Sequence, residues 1–366
     1  STPIKSSAAS DVYKRQILRF VLTELWVYHM GYIQKVHQHH FFKNTFIFDR
    51  LEMELVPFTY CSLACDFCET RYHRTKPNEQ WFENALTTIK QKLDQTSNVS
   101  IITADMWGGE LFDDKIFNDR LFNLYKHFEN EFHNLAKAYN CQYEFLIYSN
   151  CIHHNCDNLI DWIKQADLRF GTSFDFVGRF KNNVQLKLWW DNMQKIINAG
   201  IRPDLDIVAH KKNIMAMLNK QGSTYEMFEQ IYNSEQYNID FEYYQDVNQL
   251  DEYQVTDVQI GKFLKYAVEH FPNVSEVYNL IKTQRGQTKN MFAEGLPRYY
   301  LKVWPNSIEW NTINDIDRFR TLIHNKQCIE CVYKNRCSPR YSLEFDNTQY
   351  CINKDVFGYI DESKKN

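Results

Sequence analysis

The sequence predicts an α/β protein: a partial (β/α)6 TIM-like barrel followed by a small cysteine-rich C-terminal domain. Three observations carry this reading. Strand-like and helix-like stretches alternate from about residue 46 to about residue 250, which argues for a parallel sheet with helices outside it. The first two predicted strands end in distinctive turns, one with three closely spaced cysteines and one with Gly-Gly-Glu. Four more cysteines crowd the C-terminal region.

The elements follow in order. "FDRLEMELVPF" (48–58) alternates Leu51, Met53 and Leu55 with charged neighbours, the period of a strand. "WFENALTTIKQKL" (81–93) sets Phe82, Ala85, Leu86, Ile89 and Leu93 on one helical face. "VSIITADMW" (99–107) reads as a buried strand and "DDKIFNDRLFNLYKHFENEF" (113–132) as a helix. "YEFLIYSN" (143–150) is a strand, "DNLIDWIKQA" (157–166) a helix and "LRFGTSFDF" (168–176) a strand. "KLWWDNMQKIINAGI" (187–201) is a helix with Gly200 near its end, followed by the strand "PDLDIVAH" (203–210). "YEMFEQIYN" (225–233) is a helix and "IDFEYYQD" (239–246) a strand. These make about six βα units, a partial version of the eight-unit barrel. Beyond them, one amphipathic helix (Val258, Ile260, Phe263, Leu264, Ala267, Phe271) leads to a hairpin, "YYLKVWPNSIEWNT" (299–312), turning at Pro305-Asn306. The expected organisation is a core domain over 46–250 and a small domain over 251–366. Residues 1–45 form an N-terminal leader and extension, in which 1–16 looks like translated vector sequence and Met30 is a candidate natural start.

Composition narrows the function classes. The 366 residues give room for a barrel with additions, and aromatic residues at 16% supply ample core material. A formal charge of −4 offers no electrostatic footprint for nucleic acid or an anionic membrane. The most apolar run, "ILRFVLTELWVYHMGYI" (17–33), is interrupted by Arg19, Glu24 and His29, so no transmembrane helix is predicted. It also lacks the small residues that follow a secretory signal. A cytoplasmic location is therefore expected, where clustered cysteines point to metal before disulfides.

"FTYCSLACDFCET" (58–70) spaces Cys61, Cys65 and Cys68 as Cys-x3-Cys-x2-Cys. Three cysteines cannot pair off without a remainder, and three alone cannot complete a tetrahedral metal site. A [4Fe–4S] cluster normally takes four thiolates, so three would leave one iron open. Zinc with His73 as a fourth ligand, and three inert thiols, are the alternatives. In "MWGGELF" (106–112), Gly108 and Gly109 let a ligand approach the backbone closely, and Glu110 offers a carboxylate to an ammonium group.

With these two motifs at successive strand ends, the sequence resembles the radical S-adenosylmethionine (radical SAM) enzymes over about residues 46–250. Cys61, Cys65 and Cys68, with Phe67 before the last, match that family's cluster loop, and Gly108, Gly109 and Glu110 match its Gly-Gly-Glu motif. The resemblance implies that SAM chelates the open iron, with Glu110 holding its amino group and the backbone near Phe67 meeting the adenine. Asn150 in "YSN" (148–150) and Ser173 and Asp175 in "TSFD" (172–175) are expected near SAM, the latter two at its ribose or carboxylate. It further implies reductive cleavage of SAM to a 5′-deoxyadenosyl radical that takes hydrogen from a substrate. A flavodoxin or ferredoxin would be the reducing partner.

"CIECVYKNRCSPRYSLEFDNTQYC" spaces Cys328, Cys331, Cys337 and Cys351 as Cys-x2-Cys-x5-Cys-x13-Cys. Four thiolates close either a structural zinc or a fully ligated [4Fe–4S] cluster. The segment resembles the SPASM domain of radical SAM peptide- and protein-modifying enzymes, which implies an auxiliary [4Fe–4S] cluster in preference to zinc. The family's further cysteine is Tyr341 here and the hairpin carries none, so one auxiliary cluster is expected to be lost and one retained. The implied substrate is a peptide or protein side chain, oxidised or cross-linked. A small metabolite as substrate, or a non-catalytic metal-binding protein, are the alternatives. Cys141, Cys151 and Cys156, with His153 and His154, are irregularly spaced and expected to be structural, and "HQHH" (37–40) to be solvated. Arg179 and Lys181 could meet substrate, but charged loop residues usually meet water.

Overall fold

A computed structural model describes residues 47–63, 65–68, 74–96, 98–220, 222–242, 251–274, 277–278, 281, 296–312, 332 and 352–364. Strands β1 (Ile47–Leu55), β2 (Ile101–Met106), β3 (Gln142–Tyr148), β4 (Arg169–Ser173), β5 (Asp204–Val208) and β6 (Asn238–Glu242) pair in parallel, each with the next. Helices α1 (Glu79–Gln95), α2 (Asp119–Ala138), α3 (Cys156–Ala166), α4 (Asn183–Asn198), α5 (Lys211–Asn219) and α6 (Ser223–Ser234) connect them. Helix α7 (Asp257–His270) follows β6, and α8 (Ile352–Ser363) lies near the C-terminus. The architecture is the partial (β/α)6 barrel that the sequence predicts.

The alternation in β1 sorts its side chains. Leu51, Met53 and Leu55 are buried in the same core cluster as Trp81, Phe82, Ala85, Ile89 and Leu93 of α1. Arg50, Glu52 and Glu54 take the opposite face. Glu54 accepts from Tyr300 Oη (2.6 Å) and Trp304 Nε1 (3.0 Å) and pairs with Lys302 Nζ (3.0 Å). Those three residues belong to β7 (Leu296–Trp304), which runs parallel to β1 and turns at Pro305-Asn306 into antiparallel β8 (Ser307–Thr312). The predicted hairpin thus forms, and it extends the barrel sheet, whose order is β6-β5-β4-β3-β2-β1-β7-β8. Buried Leu301 and Val303 continue the apolar face of β1. The Lys265–Asp355 ion pair (2.7 Å) joins α8 to α7.

Helix α2 starts later than its sequence pattern suggests. Asn118 Oδ1 caps it by accepting from Leu121 N, while Asp113 and Asp114 stay in the preceding turn for other bonds. Among the described residues no helix is long and apolar enough to cross a membrane. Residues 1–46, His73, Tyr341 and the four C-terminal cysteines Cys328, Cys331, Cys337 and Cys351 lie outside the described residues.

Candidate active site

Among the described residues, the predicted site residues of the 46–250 core lie where the parallel strands end, the side of such a barrel on which loops converge. The loop after β1 carries Cys61, Cys65, Phe67 and Cys68. It is held from the loop after β2. Gly109 N donates to Phe58 O (3.0 Å) and Glu110 N donates to Tyr60 O (2.8 Å). The glycines allow this closeness: a Cβ on Gly109 would stand 1.8 Å from Tyr60 O, and one on Gly108 2.5 Å from Phe58 O. What approaches these glycines is the backbone of the cysteine loop itself. Thr59 and Thr75 add reciprocal bonds at the loop's far side, Thr75 N to Thr59 Oγ1 at 2.8 Å.

Cys65 is buried, Cys61 and Cys68 half-buried, and all three are thiols. Burial pushes Cys61 up to about 12, with the Glu110 charge adding to it. Burial also pushes Cys65 up to about 11, against an opposing pull from Arg179. A thiol gives up its proton when it binds a metal, so these raised values work against loading rather than for it. Among the described residues no three or more His, Cys, Asp and Glu side chains are grouped as ligands of a single metal ion. A four-iron cube assigns its thiolates to separate irons, so three thiols on one loop are a donor set that such a cluster can take.

Glu110 is 2% exposed, and both of its carboxylate oxygens are engaged. Oε1 accepts from Phe112 N and Ser149 Oγ (both 2.9 Å), and Oε2 accepts from Asn150 N (2.6 Å). Three of the roughly four lone-pair sites of a carboxylate are thus filled by the protein. Burial lifts its carboxyl to about 7, and the same three donors pull the other way. Behind it, His153 Nδ1 accepts from Asn155 N (3.2 Å), which puts the ring proton on Nε2, 2.9 Å from Ser149 Oγ. A buried chain therefore runs from His153 through Ser149 to Glu110. Burial lowers His153 to about 4, so the ring is neutral. Asn150 Nδ2 donates to Cys61 Sγ (3.5 Å), which places Asn150 beside the thiols as its strand-end position suggests.

After β4, Asp175 is completely buried. Oδ1 accepts from Asn213 Nδ2 (2.7 Å) and Val208 N (3.1 Å), and Oδ2 from Arg179 Nε (2.6 Å). Burial alone would lower Arg179, but Asp175 holds it above its ordinary value. The guanidinium sits 5.7 Å from the Phe67 ring centroid. Phe67 also meets His210 (5.0 Å) and Tyr253 (5.9 Å), so aromatic rings from the end of β5 and from the segment before α7 pack on the cysteine loop. Ser173 is half-buried at the end of β4. On the opposite side stand Trp107 and Trp304, edge to face at 5.5 Å. Asp105, in register with Glu54, has its carboxyl raised to about 7 by burial and then by Glu52.

Sequence reasoning missed three participants. Arg179 is half-buried, paired with Asp175 and set against Phe67, instead of meeting only water. His153 belongs to the chain behind Glu110, and Asp113 to the cysteine loop. Cys151 and Cys156 are core residues, as expected.

A parallel partial barrel with three thiols after β1 and a Gly-Gly-Glu turn after β2 has the radical SAM fold. The solved structures say the same at the level of fold. Native anSMEcpe with bound AdoMet and Cp18Cys peptide matches at 12% identity over 86% of this chain and 97% of that chain, with a TM-score of 0.58. Native anSMEcpe with bound AdoMet matches at 14% identity over the same shares, also at 0.58. No family model matches the chain, and no curated protein matches it in sequence.

Proposed function

We propose that this protein is a radical SAM enzyme that modifies a peptide or protein side chain. The observation that carries the proposal is the clasp between Gly108–Glu110 and the Cys61–Cys68 loop, which mounts three thiols at the strand ends of a parallel barrel. Cys61, Cys65 and Cys68 would hold a [4Fe–4S] cluster with one open iron. Bound there, cluster and SAM supply one-electron cleavage of the sulfonium and removal of a hydrogen atom from substrate.

The chain's own residues orient and enclose. Glu110 keeps one lone-pair site for the SAM amino group while its other bonds fix the carboxylate in place. Gly108 and Gly109 set the height of the cysteine loop over the barrel. Asn150 steadies Cys61. Asp175 acts through Arg179, and Ser173 faces the ribose or carboxylate region. Phe67, His210 and Tyr253 would shield one side of the cysteine loop from water. The segment over 251–366 lends β7 and β8 to the sheet of the 46–250 core, and Cys328, Cys331, Cys337 and Cys351 would hold an auxiliary [4Fe–4S] cluster. The peptide reading rests on the SPASM-like cysteine spacing and on anSMEcpe, which has been solved with a bound peptide. A flavodoxin or ferredoxin would deliver the electron in the cytoplasm.

The test is anaerobic reconstitution, reduction with SAM present, and assay of 5′-deoxyadenosine. The expected iron content is roughly eight per chain, falling to roughly four in Cys65→Ala with loss of SAM cleavage. A wild-type protein with intact clusters that releases no 5′-deoxyadenosine refutes the proposal.

A further inference from the structure

We propose that Asp113 is a positioning residue that latches the cysteine loop through Ser62 and presets it to receive its cluster; this rests on the radical SAM reading above. Two acceptors on one buried carboxylate capture two donors on one loop residue. Asp113 Oδ2 accepts from Ser62 N at 2.7 Å and Oδ1 accepts from Ser62 Oγ at 2.9 Å. The partners are 51 residues apart in sequence, and Asp113 is 4% exposed. Paired bonds to a charged acceptor fix both the backbone and the side chain of Ser62, which neither bond would do singly.

The latch stands on a rigid mount. Leu111 and Phe112 are fully buried, Tyr125 Oη donates to Leu111 O (2.9 Å), and Phe112 N donates to Glu110 Oε1. The neighbouring Asp114 fastens the next loop, accepting from His154 N (2.8 Å) and Asn155 Nδ2 (3.1 Å). The turn after β2 therefore grips the cysteine loop at Phe58, Tyr60 and Ser62, at residues on either side of Cys61. By contrast, Leu63 N to Cys61 Sγ (3.4 Å) and Cys68 N to Cys65 O (3.1 Å) are bonds internal to the loop. Beside the longer bond from Asn150 Nδ2 to Cys61 Sγ (3.5 Å), Ser62 is thus where the Cys61–Cys65 stretch is tied to the barrel by two short bonds. Without the tie, the three thiols would have to be ordered by the incoming irons, and loading would slow.

The full chain tests this with two readouts. In the metal-free protein, iodoacetamide labelling of each cysteine is followed by mass spectrometry. During anaerobic reconstitution, iron and sulfide per chain are followed over time. Asp113→Ala removes both bonds from Ser62, and with them the bond from Lys115 N to Oδ1 (3.0 Å), so labelling of Cys65 is expected to rise about tenfold and loading to slow about tenfold. Ser62→Ala keeps the bond from Ser62 N and should change each rate about threefold. Asp113→Asn, with one acceptor oxygen, should fall between them. Cys151 and Cys156, buried in the core, are internal controls and should label at the wild-type rate. A general loss of stability would speed them too and would overturn the proposal, as would wild-type rates in both Asp113→Ala and Ser62→Ala. Should Asp113→Ala fail to fold, Ser62→Ala decides by the same criteria. A wild-type chain that loads no more iron than Cys65→Ala overturns the radical SAM reading instead, so the two failures are distinguishable.

Discussion

Replacing Gly109 with alanine probes the contact on which the site is built. The added Cβ would lie 1.8 Å from Tyr60 O, 2.1 Å from Tyr60 C and 2.5 Å from Thr59 C. All three atoms are backbone, so no side chain can swing aside. The two loops must part until the contact approaches about 3.5 Å, the ordinary range for non-bonded heavy atoms. That separation breaks Gly109 N to Phe58 O and Glu110 N to Tyr60 O. Overpacking costs about 2 kcal/mol and each lost hydrogen bond about 1 kcal/mol, so the loss is about 4 kcal/mol. Against a typical stability of about 5–15 kcal/mol this is large. Urea unfolding of the metal-free chain measures it, with Gly200→Ala as the comparison. Gly200 has φ +83° but nothing within 4 Å of its added Cβ, so only backbone strain applies, about 1 kcal/mol. Iron uptake by Gly109→Ala should fall as well. Stability loss no greater than that of Gly200→Ala would refute the reasoning, because the clasp would then have room that the geometry denies it.

Other perturbations test neighbouring links. Burial lowers His153 from 6.5 to about 4, so its contribution to stability is present above pH 6.5 and is lost as pH falls through that window. The group alone should destabilise the fold by about 3 kcal/mol at pH 4 relative to pH 7. His153→Asn should flatten that slope in urea midpoints taken at pH 7, 5.5 and 4, and an unchanged slope would place the titration elsewhere. Asp175→Ala leaves Arg179 Nε, Asn213 Nδ2 and Val208 N without their acceptor and should cost about 3–5 kcal/mol by chemical denaturation. Equal stability would mean that Asp175 does not hold the loop after β4. Glu54→Ala removes the acceptor shared by Tyr300, Trp304 and Lys302 across the β1–β7 seam. Amide exchange should quicken in β7 and β8 well before β2 and β3, and uniform exchange would contradict a seam held by Glu54.

Much of the barrel was legible because each strand and helix prints its own period. Leu51, Met53 and Leu55 identify β1, and Phe82, Ala85 and Ile89 identify α1, without knowledge of any partner. The start of α2 was less legible, since Asp113 and Asp114 are as compatible with a first helical turn as with a loop. Their bonds go to Ser62 and His154, contacts that only the folded chain creates. The parallel pairing of β7 with β1 was hidden for the same reason. A period of two in "YYLKVW" assigns a strand but says nothing about which edge it joins. Arg179 and His153 read as ordinary loop residues because, although Asp175 and Ser149 are only four residues away, Phe67 and Glu110 come to them from other strand ends.

Local sequence alone determined the class of fold, the thiol count of the first cysteine loop and the Gly-Gly-Glu turn, because spacing and periodicity are properties of neighbouring residues. Only the tertiary structure decided what those motifs touch. It turned Gly108 and Gly109 from general permission for close approach into a specific contact with Phe58 and Tyr60. It filled most of Glu110's bonding capacity from within, and it set Asp113 on Ser62. The physical reason is that buried backbone and charged groups must find partners, and parallel strands bring those partners from loops 40 or more residues apart, as in Glu110 with Asn150 and Asp113 with Ser62.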